Sequence, residues 1–96
     1  MSVFVVEFEY NVGRDERERV HADHTAYLKS LTDQGVLLAG GPLPQENTGL
    51  LVYATEDRPA LDAVLAEEPY AKSGFIAATR VREWRPGKGS WIAARS

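Results

Sequence analysis

The sequence predicts an α+β domain with the element order β-α-β-β-α-β. Three observations lead there. Four short runs, starting at Val3, Val36, Leu50 and Phe75, are dominated by apolar, β-branched or aromatic residues. Two longer stretches, one from Arg14 and one from Pro59, repeat their apolar residues at helical spacing. Glycines and prolines stand between these segments, at Gly13, Gly35, Pro42 to Gly49, Pro69 and Pro86.

Val3 to Tyr10 alternates, which predicts a first strand with Phe4, Val6, Phe8 and Tyr10 on one face. Gly13 ends it. Asp15, Glu16 and Glu18 then place acid in the first turns of a helix, where its dipole favours negative charge. That helix is expected to run from Arg14 to Gln34 and to stop at Gly35. Val36 to Leu43 is expected to be a second strand, bent where Gly40 and Gly41 interrupt it. Pro42 to Gly49 is a turn-rich connection, and Leu50 to Ala54 a third strand that forms a hairpin with the second.

Thr55 or Asp57 is placed to cap a second helix with Pro59 in its first turn. It runs to about Glu67, because the residue before Pro69 disfavours the α region. Tyr70 to Ser73 adds a short turn, and Phe75 to Trp84 is the fourth strand. This order is the split βαβ, ferredoxin-like pattern, with both helices on one face of a four-stranded antiparallel sheet. Residues 1–86 form that domain, and 87–96 are expected to be a C-terminal tail. The opposite face, with Val5 and Glu7, is partly apolar and expected to be covered by a second copy in a homodimer. Trp91 and Ile92 in the tail are candidates to latch onto that partner.

Composition narrows the function. The chain has 96 residues, 44% hydrophobic and 26% charged, as in a soluble globular protein. A net charge of −3 argues against nucleic-acid partners and anionic membranes, which require a basic surface. With no cysteine there is no disulfide, thiolate catalysis or zinc-finger chemistry. The apolar run Val3 to Val6 stops at Glu7 without a basic region before it, so neither a signal peptide nor a membrane span is read there and the cytoplasm is the expected location.

Two polar residues break the apolar stripes. Val20, Tyr27, Leu28 and Leu31 lie at offsets 0, 7, 8 and 11 of the first helix, and offset 4 is His24. Leu61, Val64 and Leu65 form the stripe of the second helix, and the next position is Glu68. His24 is either a core histidine satisfied by a backbone carbonyl or a general acid–base group with its tautomer fixed by a carboxylate. Glu68 is either that carboxylate or part of a solvated helix end. His21 lies one turn before His24, but the i, i+3 spacing and the lack of a third histidine make a metal site a poor fit, so no metal is expected. Gly40-Gly41-Pro42 either brings backbone close to a ligand or is simply a bulged strand end. No nucleotide-binding spacing is present. Arg80, Arg82 and Arg85 read as a solvated strand face. Phe8, Tyr27 and Tyr70 line a cavity or fill the core.

The segments His24-Thr-Ala-Tyr-Leu-Lys-Ser-Leu, Gly35-Val-Leu-Leu-Ala-Gly-Gly-Pro-Leu43, Glu68-Pro-Tyr-Ala-Lys-Ser-Gly74 and Val81-Arg-Glu-Trp-Arg85 stand in an order and spacing that resembles the YCII-related family of small bacterial proteins. The resemblance implies a dimeric α/β barrel of ferredoxin-like protomers. It also implies an active site of a histidine, matched by His24, and an acidic residue, usually aspartate, matched here by the longer Glu68. The family often carries arginine where this chain has His21. Most members have no assigned reaction. The family is similar to muconolactone isomerase-like proteins, and one branch eliminates chloride from a chlorinated hydroxyhydroquinone. The expectation is therefore a cofactor-independent proton-transfer enzyme acting on a small cyclic or aromatic molecule. His24 and Glu68 would be catalytic, and His21, Gly41, Pro42 and Tyr70 would bind substrate. The alternatives are a non-catalytic small-molecule-binding or accessory dimer, and a purely structural subunit.

Overall fold

The structure, a computed structural model, describes residues 1–93. Its elements are β1 (Ser2–Tyr10), α1 (Arg14–Arg17), a 3-10 turn (Glu18–Val20), α2 (His21–Asp33), β2 (Leu37–Leu43), β3 (Thr48–Thr55), α3 (Arg58–Ala66), α4 (Pro69–Lys72), β4 (Ile76–Trp84) and α5 (Ser90–Ala93). The four strands form one antiparallel sheet in the order β2-β3-β1-β4, the ferredoxin-like arrangement expected from the sequence.

Register decides which residues meet the helices. Phe4 lies opposite Tyr53, Val6 opposite Leu51 and Phe8 opposite Gly49. Directly opposed residues share a face. That face packs with Leu31 of α2, Leu61 of α3 and Leu37 of β2 into one buried cluster. The other face carries Val5 beside Val52 and Glu7 beside Leu50, with Arg80 and Arg82 across on β4. Arg82 donates to the Glu7 carboxylate at 2.6 Å, so the arginines do lie on an exposed strand face.

The helix expected from Arg14 to Gln34 is broken. Val20 leaves the α region at φ −122, ψ 15, and α2 restarts at His21. Positions 14–19 are all charged, so no apolar stripe ties them to the sheet as a continuation of α2. The C-terminal end matches expectation: Gly35 adopts φ 75, and Val36 N–H returns to Leu31 O at 2.8 Å. The irregularity of β2 falls at Leu38 rather than at the glycines. Leu37 pairs with Tyr53 and Ala39 with Val52, so one extra residue switches the phase of the strand. That switch keeps Leu37 in the core and turns Gly40, not Ala39, toward Leu51.

Asp57 is the cap of α3, its carboxylate accepting from Ala60 N–H at 2.9 Å. In the tail, Trp91 is 79% exposed, and Ile92 lines a recess with Met1, Val3 and Trp84 of the same chain. Residues 94–96 of the tail lie outside the described part. Among the described residues, no helix is long and apolar enough to cross a membrane.

Candidate active site

The sequence places Glu68 on the stripe of α3, but the backbone delivers it differently. The helix ends at Ala66, and Glu68 is extended at φ −66, ψ 126 between α3 and α4. Pro69 imposes this, because its ring excludes α geometry from the preceding residue. The break turns the Glu68 side chain inward, where it is 0% exposed. Its Oε2 caps α4 by accepting from Tyr70 N–H at 3.2 Å. Its Oε1 pairs with His24 Nδ1.

His24 stands in the second turn of α2 with its side chain 13% exposed. An ionised carboxylate can only accept, so Nδ1 donates to Glu68. In the neutral ring this leaves the lone pair on Nε2. The Tyr70 ring stacks on the imidazole at 3.9 Å between centroids and 9° between planes. The Tyr70 hydroxyl pairs with His21 Nδ1 at 3.2 Å, and His21 Nε2 lies 3.4 Å from Thr25 Oγ1. His21, His24 and Glu68 therefore meet around one aromatic ring, although His21 is itself exposed.

All four tyrosines of the chain gather here. Tyr10 meets Tyr70 edge-on at 5.6 Å, Tyr27 donates to the carbonyl of Val64 at 2.7 Å, and the buried Tyr53 hydroxyl has no hydrogen-bond partner among the described residues. Burial raises the pKa of each. Tyr10 is pushed up to about 12, Tyr53 higher still, and Tyr27 and Tyr70 in the same direction. The negative charge of Glu68 adds to the rise in all four. Their hydroxyls therefore remain protonated at neutral pH, and those of Tyr10 and Tyr70 belong to residues that line the cleft.

His24, His21, Tyr70 and Tyr10 form one wall of a cleft of about 650 Å³, and Gly40, Gly41, Pro42 and Leu43 of β2 form the other. The structure thus brings all six expected site residues to one place: five line the cleft, and Glu68 stands behind His24. Phe8 is instead a core residue, 1% exposed. Arg17 also lines the cleft, and sequence reasoning missed it. The one local signal was its position a helical turn before His21, hidden in a run of charges. Among the described residues, no group of three or more His, Cys, Asp or Glu side chains is placed to hold a metal ion. Space, a proton-transfer group and protonated hydroxyls suit the arrangement to acid–base work on a small molecule.

Comparison with solved structures gives the same fold. The 5-chloro-2-hydroxyhydroquinone dehydrochlorinase TftG from Burkholderia phenoliruptrix, in complex with 2,5-dihydroxybenzoquinone, is similar with a TM-score of 0.77 and 24% identity, over 88% of this chain and 95% of that one. An uncharacterized NIPSNAP domain protein from Burkholderia xenovorans gives 0.57 and 16%, over 91% and 95%. SnoaB, a cofactor-independent oxygenase from Streptomyces nogalater, gives 0.52 and 16%, over 93% and 90%. No curated protein sequence matches the chain. The profile of the YCII-related domain matches residues 3–85, and the chain belongs to that family.

Proposed function

We propose that this protein is an enzyme that moves a proton on a small cyclic or aromatic organic molecule, with His24 as the acid–base group and Glu68 as its positioning partner. One observation carries the reading. A carboxylate with no exposure holds Nδ1 of an imidazole whose ring lines an open cleft. Such a carboxylate fixes the tautomer and stabilises the imidazolium once Nε2 has taken a proton. Nε2 then returns the proton elsewhere on the substrate, which is isomerisation, or retains it while a leaving group departs, which is elimination. A base placed in this way contributes about 10²–10⁴-fold. Gly41 and Pro42 shape the far wall, Tyr70 gives an aromatic surface, and His21 reaches the substrate from the rim. No organic cofactor takes part.

The dehydrochlorination named for the Burkholderia phenoliruptrix protein is an elimination of this kind. That likeness supports halogenated hydroxyquinols as first substrates and lactones as second ones. The partly apolar outer sheet face, with Val5, Leu50 and Val52 half-exposed, supports a face-to-face homodimer, which sedimentation would test.

Two measurements test the reading. Long-range proton–nitrogen NMR of the imidazole should show hydrogen on Nδ1 of His24 in the native protein and loss of that preference in Glu68→Leu. Turnover of an identified substrate should vanish in His24→Ala with the fold intact. A native Nε2–H tautomer, or turnover that survives in His24→Ala, would refute the assignment. A ligand bound and left chemically unchanged by the native protein would turn the reading toward a binding protein.

A further inference from the structure

Two arginines that the His24–Glu68 pair does not use line the cleft, Arg14 exposed and Arg17 partly buried. Arg17 ends α1, half-buried, four residues before His21. Its Nη1 donates to Val12 O at 2.9 Å and to Asn47 Oδ1 at 2.7 Å, both neutral acceptors. Its guanidinium carbon lies 4.2 Å from the centre of the Tyr10 ring. Arg19, Arg58 and Arg82 each pair with a carboxylate, on Glu16, Asp62 and Glu7. Among the described residues, Arg14, Arg17, Arg80 and Arg85 have none within ion-pair distance, and of these four Arg17 is the one that is partly buried.

This is an unusual setting for a guanidinium taken partly out of water. Two neutral acceptors and an aromatic face hold it in position without neutralising it. With Nη1 occupied, Nε and Nη2 form the side-on fork that grips a carboxylate or a pair of oxygens in bidentate fashion, and the guanidinium also stands within hydrogen-bonding reach of the Tyr70 hydroxyl, which would share in that grip. Hydroxyl donors stand nearby. The Tyr70 hydroxyl lies against His21, and the Tyr10 hydroxyl lies over Gly49, so close that a Cβ there would sit 2.5 Å from it. The charge of Arg17 opposes the burial-driven rise in pKa at both Tyr10 and Tyr70, so the guanidinium is near enough to act on both. Glu68 acts in the opposite sense on Tyr10 and Tyr70, and Glu18 on Tyr70. Glu18 and Glu46 at the mouth are exposed and screened by solvent, and Glu68 is not part of the lining.

We propose that the cleft is built for an anion, with Arg17 gripping a carboxylate or acidic enol oxygens of a small ring while the rest of that ring lies against Tyr70 and His24. The inference rests on the cleft of the proposed acid–base chemistry and names the charge of its substrate. The guanidinium would come from α1, one turn ahead of the rim position filled by His21.

The test uses two probes of one shape, 4-hydroxybenzoate and 4-hydroxybenzamide, titrated into the native protein and followed by NMR shifts at Arg17, His21 and His24. The carboxylate is expected to bind at least about tenfold more tightly than the amide at low salt, a preference that raising the salt erodes for the carboxylate alone. Arg17→Gln should bring the two probes to equal affinity, and Arg17→Lys should retain part of the preference. Equal affinities in the native protein, a preference untouched by Arg17→Gln, or no carboxylate binding at ~20 mM, a level that detects millimolar affinity, would each overturn the proposal. Should Arg17→Gln fail to fold, the native salt titration and Arg17→Lys still decide. His24→Ala ends the proposed proton transfer but leaves Arg17 in place, so an anion preference that persists there separates the two claims.

Discussion

Replacing His24 and Glu68 with leucine, singly and together, tests whether they act as one unit. In His24→Leu the carboxylate of Glu68 stays fully buried and loses its strongest partner. Stranding one member of a buried pair costs about 3–5 kcal/mol. In Glu68→Leu two separate losses occur. The cap on Tyr70 N–H goes, at about 1 kcal/mol, and Nδ1 of a nearly buried imidazole loses its acceptor, at about 1–3 kcal/mol. In the double variant no charge is stranded and a leucine pair extends the stripe of Leu28 and Leu31. Only the cap is then missing, and an apolar pair in place of a buried ionic one is neutral or stabilising, so the expected change is on the order of 1 kcal/mol or less. The missing cap is common to Glu68→Leu and the double variant, so it cancels from the cycle. The coupling energy should therefore be at least about 4 kcal/mol. Urea unfolding followed by circular dichroism, at one fixed protein concentration, measures all four species. Additive single losses, with coupling below about 0.5 kcal/mol, would refute the pairing and leave Glu68 as a helix cap alone.

Alkaline pH should destabilise the protein. All four tyrosines have raised pKa values, so above pH 10 the unfolded chain ionises first and binds fewer protons than the folded one. Stability is thus complete below the ordinary tyrosine pKa and is lost as pH rises toward about 12, where Tyr10 titrates in the fold; each proton involved removes about 1.4 kcal/mol per pH unit. Phenolate absorbance should lag behind that of free tyrosine and then rise together with unfolding, and four independent titrations near pH 10 would refute this. Tyr53→Phe removes a buried hydroxyl without a partner among the described residues and should leave thermal stability unchanged or raised by about 1 kcal/mol, whereas a large loss would mean that the hydroxyl has a partner in solution. Asp57→Ala should cost about 1 kcal/mol through the lost cap on Ala60 N–H, and a change within about 0.3 kcal/mol would show that α3 is held by Leu61 alone.

Most of this fold was legible in the sequence because its signals are short-range. Phe4, Val6, Phe8 and Tyr10 alternate within nine residues, and that alternation names the buried face of β1 with no knowledge of its neighbours. His24 was legible for a similar reason, since Leu28 and Leu31 fix the buried side of α2 locally. The break at Val20 was not. Residues 14–19 are acceptable helix formers, and nothing local marks Val20 as the point where the helix leaves the α region. The phase switch at Leu38 was hidden too, since it depends on which residue of β2 must meet Tyr53 and which must meet Leu51. Arg17 looked like one more charge in a charged run. Its setting comes from Asn47, distant in the chain, and from Tyr10 on the far side of the turn at Gly13.

The inward position of Glu68 was reached in the sequence by an incomplete route. Extending the stripe of α3 by one position pointed inward, but a side chain on that stripe would move with a fraying helix end. The proline after it supplies what the stripe cannot. Pre-proline geometry sets the backbone of Glu68, the cap on Tyr70 N–H holds one carboxylate oxygen, and the other oxygen is left for His24. The same short helix then presents the Tyr70 ring, which covers the imidazole on one side. One turn of chain thus positions the carboxylate, shields it from water and builds part of the cleft wall. An acceptor needed only for stability would not require that combination, because a backbone carbonyl would satisfy a core histidine without burying a carboxylate. The expensive choice of partner favours a site that must hold one imidazole tautomer in place while its other nitrogen exchanges protons.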